Sequence, residues 1–364
     1  MKYTVNDIFC GAGGIGYGFL QAGFDIAGAW DYDKYAVEAY RHNLGDHVKQ
    51  TDITEMTWRD LPKANVWTFG APCVAFSLSG KKMGMTFKCK GCGHEETFTS
   101  EPIMTGATFC TECGVLSKPK DDRGLLFFQV MRIIQETQEN NPDNLPDILM
   151  LENVPGIRKH LDVIEEAYEM LGYRMYYTAY NSRHWGVPQN RERYFVLGVH
   201  HTVTGDFVFP TPPEDDTPLL ASVMETDVDD KLYVDYTKLH EGFIEPVEGG
   251  IKVRQATKQG YDIAVNGDSI NLAHPKSKTR RGRVGKQIAQ TLLTGREQVY
   301  VEDVDTMRIR YYTAREFARL QAFPDSFELV VPESESIKQF GNAVTVNISR
   351  AIATEISKFL DSSK

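Results

Sequence analysis

A glycine-rich turn near the start of the chain has the spacing of a loop that holds a nucleotide-like cofactor. Residues 11–16 (GAGGIG) fit the pattern G-x-G-x-x-G, between a strand predicted over 4–9 and a following helix. Glycines let the backbone approach a ligand closely, and Asp31, at the end of the next predicted strand, could bind ribose hydroxyls. NAD and S-adenosylmethionine both suit this pattern, and a purely structural glycine turn is the alternative.

A single cysteine follows the third predicted strand, which covers residues 64–70. In a parallel sheet Cys73 would lie at the carboxyl edge, where α/β folds bind their ligands. The thiolate form of cysteine is a nucleophile, so covalent catalysis is one interpretation of this position. A small buried core residue is the other, and the segment by itself favours neither.

Charged side chains accompany two later predicted strands. Glu152 lies near the end of an apolar strand over 147–154, where a carboxylate is costly unless it is paired or used. Arg191 and Arg193 lie two residues apart on a strand predicted over 191–199, so both would point to one face. Arginine forks suit phosphate or a base oxygen. For Glu152 the alternative is a partner for a helix N-terminus. For the two arginines it is a solvated charged strand.

Four of the six cysteines form two close pairs. The spacings Cys89-x2-Cys92 and Cys110-x2-Cys113, each followed by glycine, are typical of a zinc site with four thiolate ligands. A disulfide scaffold is not expected in a cytoplasmic chain of this size, and four unligated thiols are the alternative. Such a closed site would stabilise a small insertion, residues 86–117, and would not perform chemistry.

The densest positive run in the chain covers residues 274–286 and holds six Lys or Arg. The net charge of the whole chain is −10, which weighs only weakly against a nucleic-acid partner, because phosphate binding depends on local charge. Arg280, Arg281 and Arg283 are therefore candidates for phosphate or groove contacts. A solvated loop is the alternative.

The elements that must position these residues follow from the pattern of the chain. Strands alternate with helices over about the first 200 residues, which predicts a parallel α/β sheet. The composition changes near Pro210, and a smaller, mostly β or irregular domain is expected beyond it. The predicted divisions are a cofactor-binding catalytic domain (1–208), a second domain (209–310), a connecting segment (311–335) and a C-terminal segment (336–364), whose helix, predicted over 343–360, returns to the first domain.

The composition is that of a globular protein. Hydrophobic residues make up 41% and charged residues 25% of the 364 positions, which excludes a disordered or collagen-like chain. No window approaches the roughly 18 apolar residues of a membrane helix, so no membrane association is expected. The N-terminus lacks the pattern of a signal peptide, which predicts a cytoplasmic location.

The motifs, taken together and in order, resemble those of the DNA cytosine-5 methyltransferases along nearly the whole chain. The matching segments are 9–14, 31–32, 52–53, 72–73, 152–154, 189–193, 315–325 and 341–344. The match is weakest from Pro210 to about Val304, where that family has its variable target-recognition region. Val74 stands where the family usually has glutamine after the Pro-Cys pair, and Asp31 stands where glutamate is commoner.

The resemblance implies a Rossmann-like, S-adenosylmethionine-dependent methyltransferase that modifies C5 of cytosine in double-stranded DNA. Cys73 would attack C6, after the base has been flipped out of the duplex, in a form of covalent catalysis. Glu152 would bind N3 and the exocyclic amine. Arg193 would bind O2 and stabilise negative charge, and Arg191 would support the site.

The resemblance also assigns cofactor and DNA contacts. Tyr32 would stack on adenine, Asp31 would bind ribose, and the turn at Asn342 would close the methionine side. The implied cofactor residues are Phe9, Gly11, Gly13, Gly14, Asp31, Tyr32, Asp52, Ile53, Pro72, Leu125, Asn342 and Val344. The expected DNA contacts are Ser77, Arg280, Arg281 and Arg283. The cysteine insertion falls in the interval where the family has a loop that closes over DNA, which suggests a zinc ribbon within it.

Several alternatives compete with this interpretation. A tRNA cytosine methyltransferase shares the same motifs, a catalytically silent DNA-binding homologue could keep the fold, and a nicotinamide enzyme could use the glycine turn. The intact Cys73, Glu152 and Arg193 argue against the silent homologue. We expect double-stranded DNA as the partner, a monomer, a bacterial or phage-infected cytoplasm with association to the nucleoid, and a cognate restriction endonuclease as a further candidate partner.

Overall fold

A computed structural model describes residues 2–71, 86–88, 91–97, 108–109, 112–113, 116–117, 125–213 and 217–363. Its strands are β1 (Thr4–Ile8), β2 (Asp25–Asp31), β3 (Val48–Gln50), β4 (Val66–Phe69), β5 (Thr86–Lys88), β6 (Glu95–Thr97), β7 (Thr108–Phe109), β8 (Leu116–Ser117), β9 (Ile148–Asn153), β10 (Tyr173–Asn181), β11 (Gln189–Asn190), β12 (Glu192–His200), β13 (Ile244–Val247), β14 (Gly250–Arg254), β15 (Tyr261–Ala264), β16 (Ser269–Asn271), β17 (Val284–Gly285), β18 (Ala289–Gln290), β19 (Gln298–Asp303) and β20 (Arg308–Tyr311).

The described residues also form α-helices, which are interspersed with these strands along the chain. They are α1 (Gly14–Gln21), α2 (Lys34–Leu44), α3 (Leu125–Asn140), α4 (Leu161–Met170), α5 (Ala314–Leu320), α6 (Glu333–Asn342) and α7 (Val346–Ser362). Short 3-10 helices cover Trp58–Asp60, Pro142–Asn144, Pro155–His160, Ser182–Trp185, Leu220–Val223, Asp230–Leu232 and Tyr236–Lys238. Together with the strands, they form two compact units. The first unit comprises Met1–Tyr180, Glu192–Pro210 and Ser349–Lys364, and the second comprises Asn181–Arg191 and Thr211–Ile348.

The first unit is built on a seven-stranded sheet in the order β10-β12-β9-β4-β1-β2-β3. The five strands β3, β2, β1, β4 and β9 run parallel to their neighbours, which confirms the predicted α/β sheet for this part. The expectation of an all-parallel sheet is wrong for β12, which pairs with β9 in the antiparallel direction. The consequence is that the first residues of β12 lie beside the last residues of β9.

The core of the first unit forms because each helix and strand buries the side chains that recur at its own structural period. Helix α3 places Phe127, Val130, Met131 and Ile134 in the interior, a spacing that lines one side of an α-helix. Strand β9 is buried at every position, as expected for a central strand covered on both faces. This burial fixes the sheet, and the strand ends that follow from it.

The second unit contains two antiparallel sheets, β13-β14-β15 and β17-β16-β19-β20. They share an apolar cluster that includes Ile251, Val253, Ile270 and Val299. The two-residue strands β11 and β18 pair in parallel. The pattern of short strands agrees with the mostly β or irregular region expected after Pro210.

The cysteine insertion contributes two short hairpins. Strand β5 pairs with β6 and strand β7 pairs with β8, each in the antiparallel direction. In each hairpin the connecting segment carries one of the two Cys-x2-Cys sequences. Gly93, directly after the second cysteine of the first pair, has φ +79°, a left-handed conformation that favours glycine.

Over the described ranges, none of the helices is both long and apolar enough to cross a membrane.

Candidate active site

The predicted site residues of the first unit converge because four neighbouring strands run in parallel. Four positions lie at the carboxyl edge of the sheet, where α/β folds bind ligands. They are the residue after β1, the last residue of β2, the residue after β4 and the next-to-last residue of β9. These positions are occupied by Phe9, Asp31, Gly70 and Glu152. The edge therefore brings together the glycine turn and the predicted catalytic carboxylate.

The glycine turn has a conformation that other residues rarely adopt. Gly11 has φ +54° and Gly13 has φ +91°. A Cβ atom on Gly13 would lie 2.9 Å from Leu44 Cδ2, whereas a Cβ atom on Gly11 would meet nothing within 4 Å. Glycine at position 13 is thus favoured by its left-handed backbone and by the close contact with Leu44, and Gly11 faces open space in which a ligand can approach. Gly14 is buried as the first residue of α1.

Asp31 accepts a hydrogen bond from the backbone at each carboxylate oxygen. The Gly11 N–H donates to Oδ2 and the Asp33 N–H donates to Oδ1, both at 2.9 Å. Burial raises the pKa of Asp31, and these two bonds oppose the increase. Each carboxylate oxygen can accept a further bond, so the group remains able to bind a diol.

Next to this carboxylate lies an uncovered aromatic ring. Tyr32 is 70% exposed, whereas Ile53 is 5% exposed and packs into the core. Asp52 is exposed and accepts hydrogen bonds from the Thr54 N–H and hydroxyl. Phe9, with φ +58°, is partly buried against the same core. An exposed ring, a buried apolar neighbour and a carboxylate with spare acceptor capacity fit an adenosyl group.

The predicted catalytic carboxylate is paired with a predicted catalytic arginine. Glu152 Oε1 lies 3.2 Å from Arg193 Nε, and their side chains are only 10% and 13% exposed. The contact exists because β12 is antiparallel to β9, which opposes Phe195 to Glu152 and brings Arg193 to the carboxyl edge. A pair with so little exposure is weakly screened by solvent.

The first described segment of the chain ends beside this pair, at the residue that precedes Pro72. The Asn153 Nδ2–H donates to the Ala71 carbonyl at 3.1 Å, and a Cβ atom on Gly70 would lie 3.7 Å from Glu152 Oε2. The residues just before the predicted nucleophile are therefore fixed next to the carboxylate.

Several predicted residues lie outside the described part of the chain. They are Pro72, Cys73, Ser77, Cys89 and Cys110. Leu125 is the first residue of α3. The roles assigned to these five residues and to Leu125 stay predictions from the sequence.

Arg191 and Arg193 do not share a strand, and the expectation that both point to one face of it is wrong. Strand β12 begins at Glu192, so Arg191 precedes it. The guanidinium of Arg191, which is 1% exposed, donates to the Leu292, Gly341 and Ala343 carbonyls at 2.9–3.1 Å. It thereby fixes the backbone on both sides of Asn342.

The predicted turn at 342–344 has one exposed and one buried residue. Asn342 ends α6 and is exposed, whereas Val344 is 6% exposed. A Cβ atom on Gly341 would lie 2.1 Å from the Leu293 carbonyl oxygen, so only glycine allows this approach of two backbones. The C-terminal helix begins at Val346, later than the predicted start at residue 343.

The basic run separates into an exposed and a buried part. Arg281 is exposed and Arg280 is partly exposed. Arg283 is 1% exposed, and its guanidinium donates to the Asn271, Ala273 and His274 carbonyls at 2.7–3.1 Å. Desolvation lowers the pKa of Arg283. This guanidinium faces the interior of the second unit, where its bonds hold the loop that begins at His274.

Two buried polar residues were missing from the predicted site. Gln189 donates to the Leu320 carbonyl at 2.7 Å and accepts from the Leu292 N–H at 3.1 Å; its place two residues before Arg191 in a matching motif was the available signal. Asp7 is fully buried under the glycine turn. The signal for Asp7 was a lone carboxylate inside an apolar strand.

The sequence model of the family described as C-5 cytosine-specific DNA methylase matches residues 3–90 and 111–358. The chain belongs to this family. Apart from the two ends of the chain, the unmatched residues are 91–110, which fall inside the cysteine insertion. The cofactor of C-5 cytosine methylases is S-adenosylmethionine, and the carboxyl-edge residues described above fit its adenosyl group.

Curated relatives of this C-5 cytosine methylase span its whole length. The Type II methyltransferase M.SsoII of Shigella sonnei is 30% identical over 99% of this chain and 82% of its own. The Type II methyltransferase M.NlaX of Neisseria lactamica is 29% identical over 98% of this chain and 97% of its own. An orphan methyltransferase of Bacillus phage SPbeta, M.SPBetaI, is 26% identical with coverage of 98% and 97%.

Solved structures agree with the methylase fold. The Dnmt2 methyltransferase of S. pombe has a TM-score of 0.66 at 18% identity and covers 99% of both chains. A putative DNA modification methyltransferase encoded within an E. coli prophage has a TM-score of 0.65 at 21% identity, with coverage of 99% and 100%. At these identities the likeness concerns the fold.

Proposed function

We propose that this C-5 cytosine methylase modifies a flipped-out cytosine within a specific double-stranded DNA sequence, through a covalent bond between Cys73 Sγ and C6 of the base. The observation that carries the proposal is the low-exposure pair of Glu152 and Arg193 at the carboxyl edge, beside the residues that precede Pro72 and Cys73 in the chain. The assignment of Cys73 rests on the order of the motifs.

The reaction divides one difficult substitution into easier steps. The thiolate of Cys73 adds to C6, and the electron pair of the C5–C6 bond becomes available at C5. C5 then attacks a methyl carbon that S-adenosylmethionine, when bound, would supply on a positively charged sulfur. The sulfur–methyl bond would break as the new bond to C5 forms, and its electron pair would remain on the sulfur of the departing neutral thioether. Loss of the C5 proton to a base restores the double bond and expels the thiolate.

Glu152 and Arg193 are proposed to stabilise the base during the addition. A carboxyl group at Glu152 would hydrogen-bond N3 and the exocyclic amine, which makes C6 more electrophilic. The Arg193 guanidinium would donate to O2, where negative charge develops. Because both side chains are already paired, little reorganisation is needed when the base arrives.

The remaining proposed contacts are those that the family resemblance assigns. Asp31 would bind the ribose, Tyr32 would stack on the adenine, and Asp52 with Ile53 would flank its edge. Phe9, Gly11, Gly13 and Gly14 would shape this side of the cofactor site, and Pro72, Leu125, Asn342 and Val344 are proposed for the methionine side. Arg191 is proposed as a positioning residue, because it holds the carbonyls on both sides of Asn342.

Bisulfite sequencing of DNA from cells that express the chain tests the proposal and reports the target sequence. A second arm measures transfer of a tritiated methyl group to duplex DNA and to tRNA. Transfer to DNA alone is expected; transfer to tRNA alone would make the enzyme a tRNA methyltransferase, and no transfer to either would favour the silent homologue.

The biological role is proposed from the names of the relatives. Several are Type II methyltransferases and others are orphan phage enzymes. We infer that methylation by this chain protects DNA from a cognate restriction endonuclease, and that the enzyme acts as a monomer in a bacterial or phage-infected cell, on nucleoid DNA. Endonuclease digestion of the methylated DNA is the direct assay.

A structural zinc ion is proposed in the cysteine insertion. Two antiparallel hairpins each carry one Cys-x2-Cys sequence between their strands, and the left-handed Gly93 turns the backbone sharply after Cys92. Four thiolates from two Cys-x2-Cys sequences match the ligand set of a closed zinc site. No group of three or more His, Cys, Asp or Glu able to hold a metal occurs among the described residues, which include only Cys92 and Cys113 of the four.

Replacing Cys89 and Cys92 together by serine is expected to release the zinc, because two neutral hydroxyls are poor ligands in place of thiolates. The double variant should contain little zinc by elemental analysis and should show weaker turnover or DNA binding, whereas Cys10→Ala, which removes a buried cysteine of the first unit, should keep its zinc. Wild-type protein without zinc would contradict the site, and full activity of zinc-free protein would exclude a role in catalysis.

The exposed part of the basic run is proposed to contact DNA phosphates. Arg280 and Arg281 lie on a loop joined to the β14–β15 turn, since the Ala256 N–H donates to the Arg280 carbonyl and Arg281 Nε donates to the Ala256 carbonyl. The predicted role of Arg283 becomes that of a support for this loop from within. Ser77 is proposed as a further contact from the sequence alone.

Replacing Arg280 and Arg281 together by glutamine should flatten the salt dependence of DNA binding. Each lost phosphate contact removes about 0.9 from the slope of log K against log salt, so a decrease of about 1–2 is expected in titrations at several salt concentrations. The double variant Lys231→Gln, Lys238→Gln, which alters exposed lysines of the same unit that are paired with aspartates, is the control. A wild-type slope in the arginine variant would contradict the contact.

A further inference from the structure

A buried carboxylate lies directly beneath the glycine turn and has no part in the proposed chemistry. Asp7, in β1, is fully buried. Its Oδ2 accepts a hydrogen bond from the Gly16 N–H at 3.1 Å, and its Oδ1 accepts one from the Thr68 hydroxyl at 2.8 Å. An ionised group at such a depth is costly, so its presence requires an explanation beyond packing.

The contacts of Asp7 and Asp31 together fix both ends of the glycine turn. Asp31 holds Gly11 at the start of the turn, and Asp7 holds Gly16 at its end. A Cβ atom on Gly16 would lie 2.8 Å from both Asp7 Oδ2 and the Tyr40 hydroxyl, so the last glycine is needed for the approach to the carboxylate. The turn is therefore held by two carboxylates, one at its open face and one beneath it.

We propose that Asp7 is a positioning residue for S-adenosylmethionine: its carboxylate fixes the end of the glycine turn at Gly16, and cofactor affinity depends on that bond. The inference rests on the proposed cofactor site and deepens it. Asp7 acts through Gly16 and touches neither the cofactor nor the base.

The protonation state of Asp7 should make cofactor affinity depend on pH. Burial, with repulsion from Asp31, raises the pKa of Asp7 to about 7, against the opposing effect of its two hydrogen bonds. The other ionisable groups that interact with it are Cys10, directly before the turn, and Tyr40 in α2, so its ionisable neighbours are all acids. Strand β4 presents Thr68, which does not titrate.

The sign of the pH effect follows from these contacts. Above pH 7 the ionised carboxylate accepts charge-assisted hydrogen bonds from Gly16 and Thr68, which are stronger than neutral ones. Below pH 7 a proton occupies one oxygen and the hold on the turn weakens. Cofactor affinity should therefore decrease as the pH falls through about 7.

The test measures cofactor binding by calorimetry between pH 6 and pH 8 for the full-length wild type and Asp7→Asn. We expect the variant to bind S-adenosylmethionine about tenfold more weakly at pH 8, as for loss of one hydrogen bond to a charged group, and to lose most of the pH dependence. DNA binding should be unchanged. Because the raised pKa of Asp7 means that its ionised form destabilises the fold at pH 8, the melting temperature there should not fall.

Wild-type affinity in Asp7→Asn, or an unchanged pH dependence, would overturn the inference. If Asp7→Asn does not fold, Thr68→Val and Thr68→Ser test the same bond from its other side. Loss of the hydroxyl in Thr68→Val should move the midpoint of the pH dependence upward, because this hydrogen bond lowers the pKa of Asp7, and Thr68→Ser should keep it. A midpoint unmoved in Thr68→Val would also overturn the inference.

A wrong assignment of the cofactor site itself would give a different set of binding results. If the wild type does not bind S-adenosylmethionine, or Asp31→Ala binds it normally, the proposed site is wrong. If Asp31→Ala weakens binding and Asp7→Asn does not, only the role of Asp7 fails.

Discussion

Replacement of Cys73 by alanine is expected to abolish methyl transfer while cofactor binding and DNA binding persist. Without the sulfur no bond to C6 can form, and C5 stays a poor nucleophile. Removal of a catalytic nucleophile costs about 10⁴-fold or more in turnover, so tritium transfer to duplex DNA should fall to background. Calorimetry with S-adenosylmethionine should give the wild-type affinity.

A trapping experiment identifies the atom that reacts. Duplex DNA that carries 5-fluorocytosine in the target sequence cannot lose a proton from C5 after methylation, so the wild-type enzyme should stay covalently attached. Peptide mapping should place the adduct at Cys73, and Cys73→Ala should form none. An adduct at another residue, or substantial activity in Cys73→Ala, would exclude the proposed mechanism.

Replacement of Glu152 by glutamine should give the second-largest loss. Glutamine keeps the shape of the side chain, but it has no charge to pair with Arg193 and no carboxylate that can take up a proton and share it with N3 of cytosine. A positioned acid–base group contributes about 10²–10⁴-fold to rate, and we expect a decrease of kcat in that range with little change in KM for the cofactor. Single-turnover kinetics on the target duplex measures the chemical step directly.

The neighbouring residue offers a matched control. Glu192 lies next to Arg193 but is exposed, so Glu192→Gln removes the same charge outside the pair and should leave kcat within a factor of about two, as for surface substitutions in general. The melting temperature of both variants should be compared with the wild type. A Glu152→Gln enzyme with a wild-type single-turnover rate would remove this carboxylate from the mechanism.

Much of the catalytic unit was predictable because its signals are local. The alternation of strands and helices, the glycine turn and the strand-end carboxylates were placed correctly along the chain, since burial on a sheet or helix imposes a period that the sequence must follow. Helices α5 and α6 were not predicted. Each is short, and α5 depends on a capping box between Thr313 and Glu316, which is a weak signal without a long apolar stripe.

The sequence also could not separate arginines by environment. Arg281 and Arg283 lie two residues apart in one basic run, yet the first is exposed and the second is buried. The difference depends on the Asn271, Ala273 and His274 carbonyls, which the fold turns toward Arg283. Charge density along a sequence does not indicate which guanidinium group is hydrogen-bonded to backbone carbonyls.

The residue types, their order and their positions at the ends of strands were enough to determine the family, the cofactor and the candidate catalytic groups. The direction of β12 was decided only in the tertiary structure, because an apolar strand pattern is the same in both directions. That antiparallel direction brings Arg193 to Glu152, while Arg191, two residues earlier, binds the carbonyls around Asn342. Contacts between residues that are distant in the chain depend on such pairings, and no local pattern encodes them.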